Sequence, residues 1–208
     1  EIALKVAEKG NTATHLPASP LMHGTGFMTS LQSLTTGGSI CTLEQRNFSA
    51  TELWEAVETA KVTQMAIVGD AFGKPMVAAL EEAEAGGKTY DLSTLRMLIS
   101  SGVMWTSPVK EALMERGEFI CLDSLGSSEG AGFANQVSTK GSTSKTARFS
   151  IGAFTKVFTE DGREVERGSD EIGILALGGP IPFGYYKDPE KSAATFREYN
   201  GDRYSVPG

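Results

Sequence analysis

Between Gly37 and Leu122, short apolar runs rich in β-branched residues alternate with segments of helical periodicity. That alternation restricts the fold more than any other feature of the chain. Residues 39–42 read as a strand. A helix follows with a defined start: Ser49 and Glu52 have the spacing of a capping box, and Phe48 and Leu53 occupy the positions of a hydrophobic staple. Leu53, Trp54, Val57 and Ala60 then recur at helical spacing. The apolar run 64–68 ends at Gly69, and a second helix is expected from about Pro75 to Glu84, stopped by Gly86 and Gly87. Residues 96–100 form another strand, ending at Ser101 and Gly102. A third helix starts at Ser107 as cap, with Pro108 in its first turn, and closes at Gly117. Residues 119–122 supply a fourth strand. Strands apolar throughout and separated by helices imply a parallel sheet covered on both faces, joined by right-handed crossovers.

The texture changes near residue 147. Residues 154–158, a turn at 160–162 and residues 163–165 have the pattern of a hairpin. Another strand is expected at 172–177, and a short helix at 189–196 with Asp188 as cap and Pro189 in its first turn. The stretch 137–146, rich in Ser, Thr, Lys and Gly, is expected to be a flexible loop. The fold class is therefore α/β: a mainly parallel sheet flanked by helices over residues 1–147, then a small, mainly antiparallel β subdomain over 148–208.

A chain of 208 residues with 40% hydrophobic and 22% charged side chains has an ordinary globular composition. Its net charge of -7 argues against a nucleic-acid partner, which requires clustered Lys and Arg. The two cysteines, Cys41 and Cys121, lie in apolar runs and fit buried free thiols of a reducing cytoplasm rather than a disulfide framework or a metal site. No window holds the roughly 18 apolar residues needed to cross a bilayer, and no signal peptide is visible. The first residue is Glu1 and the last segment stops without a terminating pattern, so both ends are expected to be cuts in a longer protein.

In open parallel sheets, ligands sit beyond the carboxyl ends of the strands. Small and polar residues cluster there: Val68, Gly69 and Asp70; Ser100, Ser101 and Gly102; and the run beginning at Asp123. Three local patterns mislead. Gly126-Ser127-Ser128-Glu129-Gly130 fits a nucleophile elbow, but both histidines, His15 and His23, precede the serine and no helical pattern follows. Gly87-Lys88-Thr89 resembles the end of a P-loop, yet Glu82 stands at the first glycine's position. Gly24-Thr25-Gly26 has Thr29 where a dinucleotide fingerprint needs its third glycine. What remains is Asp123-Ser124-Leu125-Gly126-Ser127-Ser128-Glu129-Gly130, which offers two carboxylates, three hydroxyls and several amides. It can hold a phosphate, with Glu129 on Mg²⁺. It fits a solvated turn equally well. Chemistry alone leaves both open.

Leu125-Gly126-Ser127-Ser128-Glu129 resembles the Tyr-Gly-x-Thr-Glu signature of adenylate-forming enzymes, the group of acyl-CoA synthetases, luciferases and peptide-synthetase adenylation domains. Pro20-Leu21-Met22-His23-Gly24-Thr25-Gly26 is similar to that family's Pro-Leu-x-His-x-x-Gly segment, and residues 48–63 resemble its helix ending in Lys-Val-Thr. Ser100-Ser101-Gly102-Val103 takes the place of its Gly-Gly-Ala segment, and Asp170-Glu171-Ile172-Gly173 through Gly184-Tyr185-Tyr186 matches its Gly-Glu-Ile to Gly-Tyr run. The finer likeness, in residues 20–26 and 68–72, is to actinobacterial fatty-acyl and steroid-type CoA ligases.

The resemblance implies an ATP-dependent acyl-CoA synthetase with ATP, Mg²⁺, CoA and a hydrophobic carboxylic acid as its small-molecule partners. By the same resemblance, Ser128 touches phosphate and Glu129 holds Mg²⁺ as the catalytic pair. Asp123 accepts from the adenine amino group, Ser101, Gly102 and Val103 line the purine, and Ser124, Leu125, Gly126 and Ser127 complete the nucleotide-binding set. His23, Gly26, Phe27 and Val68 line the acyl pocket. Leu125 departs from the usual Tyr and removes ring stacking, and Ser101 replaces a glycine. The family's phosphate loop is expected before Glu1. Its ribose-binding Asp, hinge and Lys-bearing C-terminal domain are expected after Gly208, so the 208 residues alone are expected to be inactive. The alternative is a non-catalytic nucleotide- or acyl-binding domain of the same type, disfavoured by retention of both Ser128 and Glu129.

Overall fold

The computed structural model describes residues 1–142, 145–146 and 148–206. Residues 143 and 144 of the expected loop, 147 at the expected subdomain boundary, and 207–208 lie outside the described residues. The chain divides into two compact units, one of Glu1–Asp123 with Gln136–Arg148, the other of Ser124–Asn135 with Phe149–Gly208.

The first unit contains, in chain order, α1 (Ile2–Glu8), β1 (Thr14–Pro17), α2 (Gly24–Thr35), β2 (Ser39–Ile40), α3 (Ala50–Thr59), β3 (Gln64–Ile67), α4 (Gly69–Ala85), β4 (Met97–Ser100) and α5 (Ser107–Met114). Strands β5 (Ile120–Ser127) and β6 (Gly130–Ser138) each run from one unit into the other. Strands β1 to β5 pair in parallel in the order β2-β1-β3-β4-β5. The strand period of two sends Leu16, Met65, Ile67, Leu98 and Cys121 into one core, against Leu53, Trp54 and Val57 of α3, Met76 and Leu80 of α4, and Leu113 of α5. Each of those large side chains contributes about 1.5–3 kcal/mol when fully buried. The Trp54 indole N–H donates to the Met76 carbonyl at 2.9 Å and is thereby satisfied inside that core. Helix α2 packs against β1, β2 and β3, where His15, pointing away from its neighbour Leu16, meets Thr29 at 3.0 Å.

The architecture is the expected one, a mainly parallel sheet flanked by helices and followed by a small antiparallel sheet. Several element ends differ. Strand β2 stops at Ile40 rather than residue 42. Helix α3 begins as read, with the Ser49 hydroxyl accepting from the Glu52 amide, but only half of the capping box forms. The Glu52 carboxylate accepts instead from the Glu44 and Gln45 amides at 2.6 and 3.2 Å, because the preceding loop brings those donors over the helix end. Phe48 packs on the Phe72 ring at 4.2 Å. Helix α4 starts at Gly69, so Pro75 lies inside it rather than at its first turn. Thr106, not Ser107, occupies the cap of α5, and the helix closes at Met114. Residues 131–138, which lack visible periodicity, are strand β6. Within the expected loop, Thr139 and Ser142 form a β-bridge, and the Gln136 amide donates to the Lys145 and Arg148 carbonyls at 2.6 and 2.8 Å.

The second unit adds β7 (Ser150–Ile151), β8 (Thr155–Phe158), β9 (Ile174–Leu177), α6 (Pro189–Thr195), β10 (Phe196–Tyr199) and β11 (Asp202–Ser205). Strand β7 pairs antiparallel with β6, and the others form an antiparallel sheet in the order β10-β11-β9-β8. The expected hairpin is present as a Phe158–Glu164 bridge around Gly162, whose φ of +85° suits glycine. Phe158 stacks on Tyr199 at 4.3 Å and meets Tyr204 edge-on at 5.0 Å, giving this unit its own small core. Asp188 caps α6 by accepting from the Lys191 amide at 2.9 Å. Among the described residues no helix is long and apolar enough to cross a membrane.

Candidate functional site

In the first unit, register places Ile67 and Ser100, the last residues of β3 and β4, in one row with Asp123, which lies midway along the longer β5. The Ser100 hydroxyl, fully buried, accepts from the Gly69 amide at 2.8 Å. Gly69 has φ +46°, and a Cβ there would stand 2.4 Å from the Met104 carbonyl oxygen and 2.6 Å from that of Val103. The Asp70 amide donates to the same Met104 carbonyl at 3.0 Å. The β3–α4 turn is therefore locked onto the loop after β4. This brings Val68 to Gly102 and Val103, the Val68 methyl lying 3.7 Å from where a Cβ of Gly102 would project. Gly102 has φ +96° and, with Val103, is exposed, while Ser101 is half-buried. Asp70 also accepts from the Thr106 amide at 2.8 Å, which ties the start of α4 to the start of α5.

Asp123 is buried. Its Oδ2 accepts from the Lys110 ammonium at 3.2 Å, and Lys110, 0% exposed, also donates to the Gln136 carbonyl oxygen at 2.6 Å. Lys110 lies 5.2 Å from the centre of the Trp105 ring. Burial raises the Asp123 carboxyl above the usual carboxylate range, and the Lys110 ammonium opposes that rise. The arrangement is a desolvated ion pair whose cation is held by an amide and an aromatic face.

In the second unit, Ser124, Leu125, Gly126 and Ser127 form the last part of β5, and Ser128 and Glu129 are the turn before β6. A strand follows the turn instead of a helix, which removes the nucleophile-elbow geometry. Ser128, Leu125 and Gly126 are exposed, and Glu129 and Ser127 half-buried. The Tyr185 hydroxyl donates to Glu129 Oε1 at 2.6 Å and holds that carboxyl below its ordinary range. Tyr185 is itself fixed, its amide donating to the Ser192 hydroxyl at 2.8 Å and its ring lying 4.1 Å from the Lys191 ammonium. Among the described residues no three His, Cys, Asp or Glu side chains gather as a metal site. The single Glu129 carboxylate, with Ser128 next to it in the chain, still fits Mg²⁺, which keeps water and takes substrate phosphate oxygens rather than an all-protein cage.

His23, Gly26 and Phe27 begin α2. His23 stands at its cap, exposed and without a side-chain capping bond, and Phe27 is 52% exposed. Gly26 is a packing residue, since a Cβ there would lie 2.6 Å from the Ser19 carbonyl oxygen. Of the two thiols, Cys121 is buried and pushed up to about 12 by that burial, whereas Cys41 is only half-buried. Sequence reasoning passed over Lys110 and Gln136. The available signal was a charged residue three and four positions before Leu113 and Met114, on the apolar face of a helix, together with Asp123 directly after the apolar run 119–122.

A family model described as AMP-binding enzyme matches residues 3–186. The 3-oxocholest-4-en-26-oate–CoA ligase of Rhodococcus rhodochrous is 41% identical over 199 residues, covering 92% of this chain and 35% of that protein. A medium/long-chain-fatty-acid–CoA/3-oxocholest-4-en-26-oate–CoA ligase of Mycolicibacterium smegmatis is 37% identical over 194 residues, with the same 92% and 35% coverage. The chain thus spans about a third of the length of these relatives. Among solved structures, the nonribosomal peptide synthetase FmoA3 superposes with a TM-score of 0.77 at 18% identity over 99% of this chain and 23% of that one. The long-chain-fatty-acid–CoA ligase FadD1 of Archaeoglobus fulgidus gives 0.71 at 21% identity, covering 99% and 43%. These last two likenesses concern the fold. With the family model matched along most of its length, the chain belongs to the AMP-binding enzyme family.

Proposed function

We propose that this chain supplies part of the adenylate-forming centre of an ATP-dependent acyl-CoA synthetase acting on a hydrophobic carboxylic acid. The acid's carboxylate attacks the α-phosphorus of ATP, forming acyl-AMP and releasing pyrophosphate. The CoA thiol then attacks the acyl carbonyl, and AMP leaves as the thioester forms. The observation that carries this reading is the Ser128–Glu129 turn closing β5, with its carboxylate held by Tyr185, in a chain whose 41%- and 37%-identical relatives are CoA ligases.

In this reading Ser128 donates to phosphate and Glu129 holds Mg²⁺, which when bound supplies charge neutralisation at the transferring phosphorus. Tyr185 keeps Glu129 an acceptor by donating to one of its oxygens. Asp123 accepts from the adenine amino group, and Ser101, Gly102 and Val103 pass along the purine. Ser124, Leu125, Gly126 and Ser127 carry the backbone between them. The apolar side chains of Val68, Phe27, Met22 and Met104 favour a hydrophobic acyl group, with His23 and Gly26 in the same pocket lining. The last three of those apolar residues are exposed here.

The test is pyrophosphate release by the whole natural protein with ATP, Mg²⁺ and CoA across short, long, aryl and steroid carboxylates. Release dependent on one acid class supports the synthetase and names its substrate. A folded protein that binds ATP and releases pyrophosphate with none of the acids overturns the reading in favour of a non-catalytic binding domain.

A further inference from the structure

Lys110 is the most deeply buried charge of the first unit, and neither chain chemistry nor family resemblance assigns it a role. Burying an ammonium is costly unless it is paired and hydrogen-bonded. Here both conditions hold, through Asp123 Oδ2 at 3.2 Å and the Gln136 carbonyl oxygen at 2.6 Å. The Gln136 side-chain N–H₂ is in turn anchored on the Lys145 and Arg148 carbonyls at 2.6 and 2.8 Å, so its carbonyl oxygen is forced toward Lys110. The ammonium thus has a fixed position, and it commits one defined oxygen of Asp123. Among the described residues Oδ2 is the Asp123 oxygen that takes a hydrogen bond, and the residue, midway along β5 and level with the carboxyl ends of β3 and β4, keeps 4% of its surface exposed.

We propose that Lys110, set by Gln136, is a positioning residue that orients the Asp123 carboxylate, leaving Oδ1 as an acceptor aimed at a ligand donor and thereby setting preference for a 6-aminopurine nucleotide. This inference rests on the synthetase reading above. A carboxylate acceptor selects an exocyclic amino group and repels the carbonyl that replaces it in a 6-oxopurine. An Asn at the same place presents both an acceptor and donors, and discriminates poorly. A site built around a buried hydrogen-bond partner rejects the analogue lacking its complement far more strongly than an apolar slot does.

The experiment compares ATP with ITP in acid-dependent pyrophosphate release by the whole natural protein and its K110M, Q136M, D123N and K110M/D123N variants. The wild type is expected to favour ATP. D123N and K110M are each expected to lower the ATP-over-ITP ratio of kcat/KM by about tenfold or more, the worth of one charged hydrogen bond. The loss falls on KM rather than kcat, because the purine lies away from the reacting phosphorus. In the D123N background, K110M adds no further loss of discrimination. A K110M protein that keeps the wild-type ratio while D123N loses it overturns the positioning role, as does a folded D123N protein with unchanged ratio. If K110M does not fold, Q136M decides: the ion pair remains but its anchor is gone, and a severalfold drop is expected where an unchanged ratio refutes the proposal. A wild type that releases no pyrophosphate with any acid defeats the synthetase reading itself, a distinguishable result.

Discussion

The Tyr185 hydroxyl and the Glu129 carboxylate form a short, directed contact between side chains far apart in sequence. Because the hydrogen bond stabilises the ionised form, the folded-state value of Glu129 lies below its unfolded value. Its contribution is present above the unfolded carboxylate range and is lost as pH falls through the folded one. Y185F is expected to move the Glu129 titration upward toward the ordinary value, read by carboxyl NMR. An unmoved titration would show that the bond does not hold in solution. His15 works in the opposite chemical sense. It is fully buried, and desolvation lowers it from 6.5 to about 4. The unfolded chain therefore takes up a proton that the folded one refuses. Stability is intact above about pH 6.5 and falls progressively down to about pH 4, by about 3 kcal/mol in all. Urea unfolding across that window is expected to show this slope in the wild type and not in H15L. Both effects were invisible in the sequence, where His15 is a lone histidine and Tyr185 a motif letter, because each depends on what a fold packs beside it.

At the scale of elements, the helix and strand order between residues 39 and 122 was legible, since strong periodicity and caps such as Ser49 act locally. S49A is expected to cost about 1 kcal/mol through the lost bond to the Glu52 amide, measured by denaturant midpoint. Helix α4 illustrates the opposite. Its first six residues, 69–74, contain two glycines, and Pro75 follows them, so local preference puts the start too late. Tertiary partners extend it: the Ser100 hydroxyl and the Met104 carbonyl bind the Gly69 and Asp70 amides. G69A should expose that dependence. The positive φ and a Cβ 2.4 Å from a backbone oxygen make about 2 kcal/mol or more of destabilisation the expected result. A midpoint unchanged from wild type would mean the turn relaxes freely. Helix α2 inverts the usual pattern. It buries Gly26, Ser30 and Ser33 and exposes Phe27, Met28, Leu31 and Leu34, so its burial cannot be inferred from its apolar stripe.

For the whole molecule, that exposed stripe is a contiguous apolar surface of the kind that drives association. The 208-residue chain by itself is expected to self-associate in a concentration-dependent way in light scattering, and L31E with L34E to reduce it; equal scattering would assign the association elsewhere. The same chain alone is expected to release no pyrophosphate at enzymatic rates, and turnover by it would overturn that expectation. The α/β class and the antiparallel tail follow from the sequence alone, because apolar periodicity, caps and turn residues act over a few neighbouring positions. Tertiary structure alone decided which polar side chains meet. Lys110, Asp123 and Gln136 converge, Tyr185 reaches Glu129, and Ser100 locks Gly69, each across 13 or more residues of chain. Such contacts arise from sheet register and burial, and their strength comes from the low-dielectric interior that only the packed chain creates.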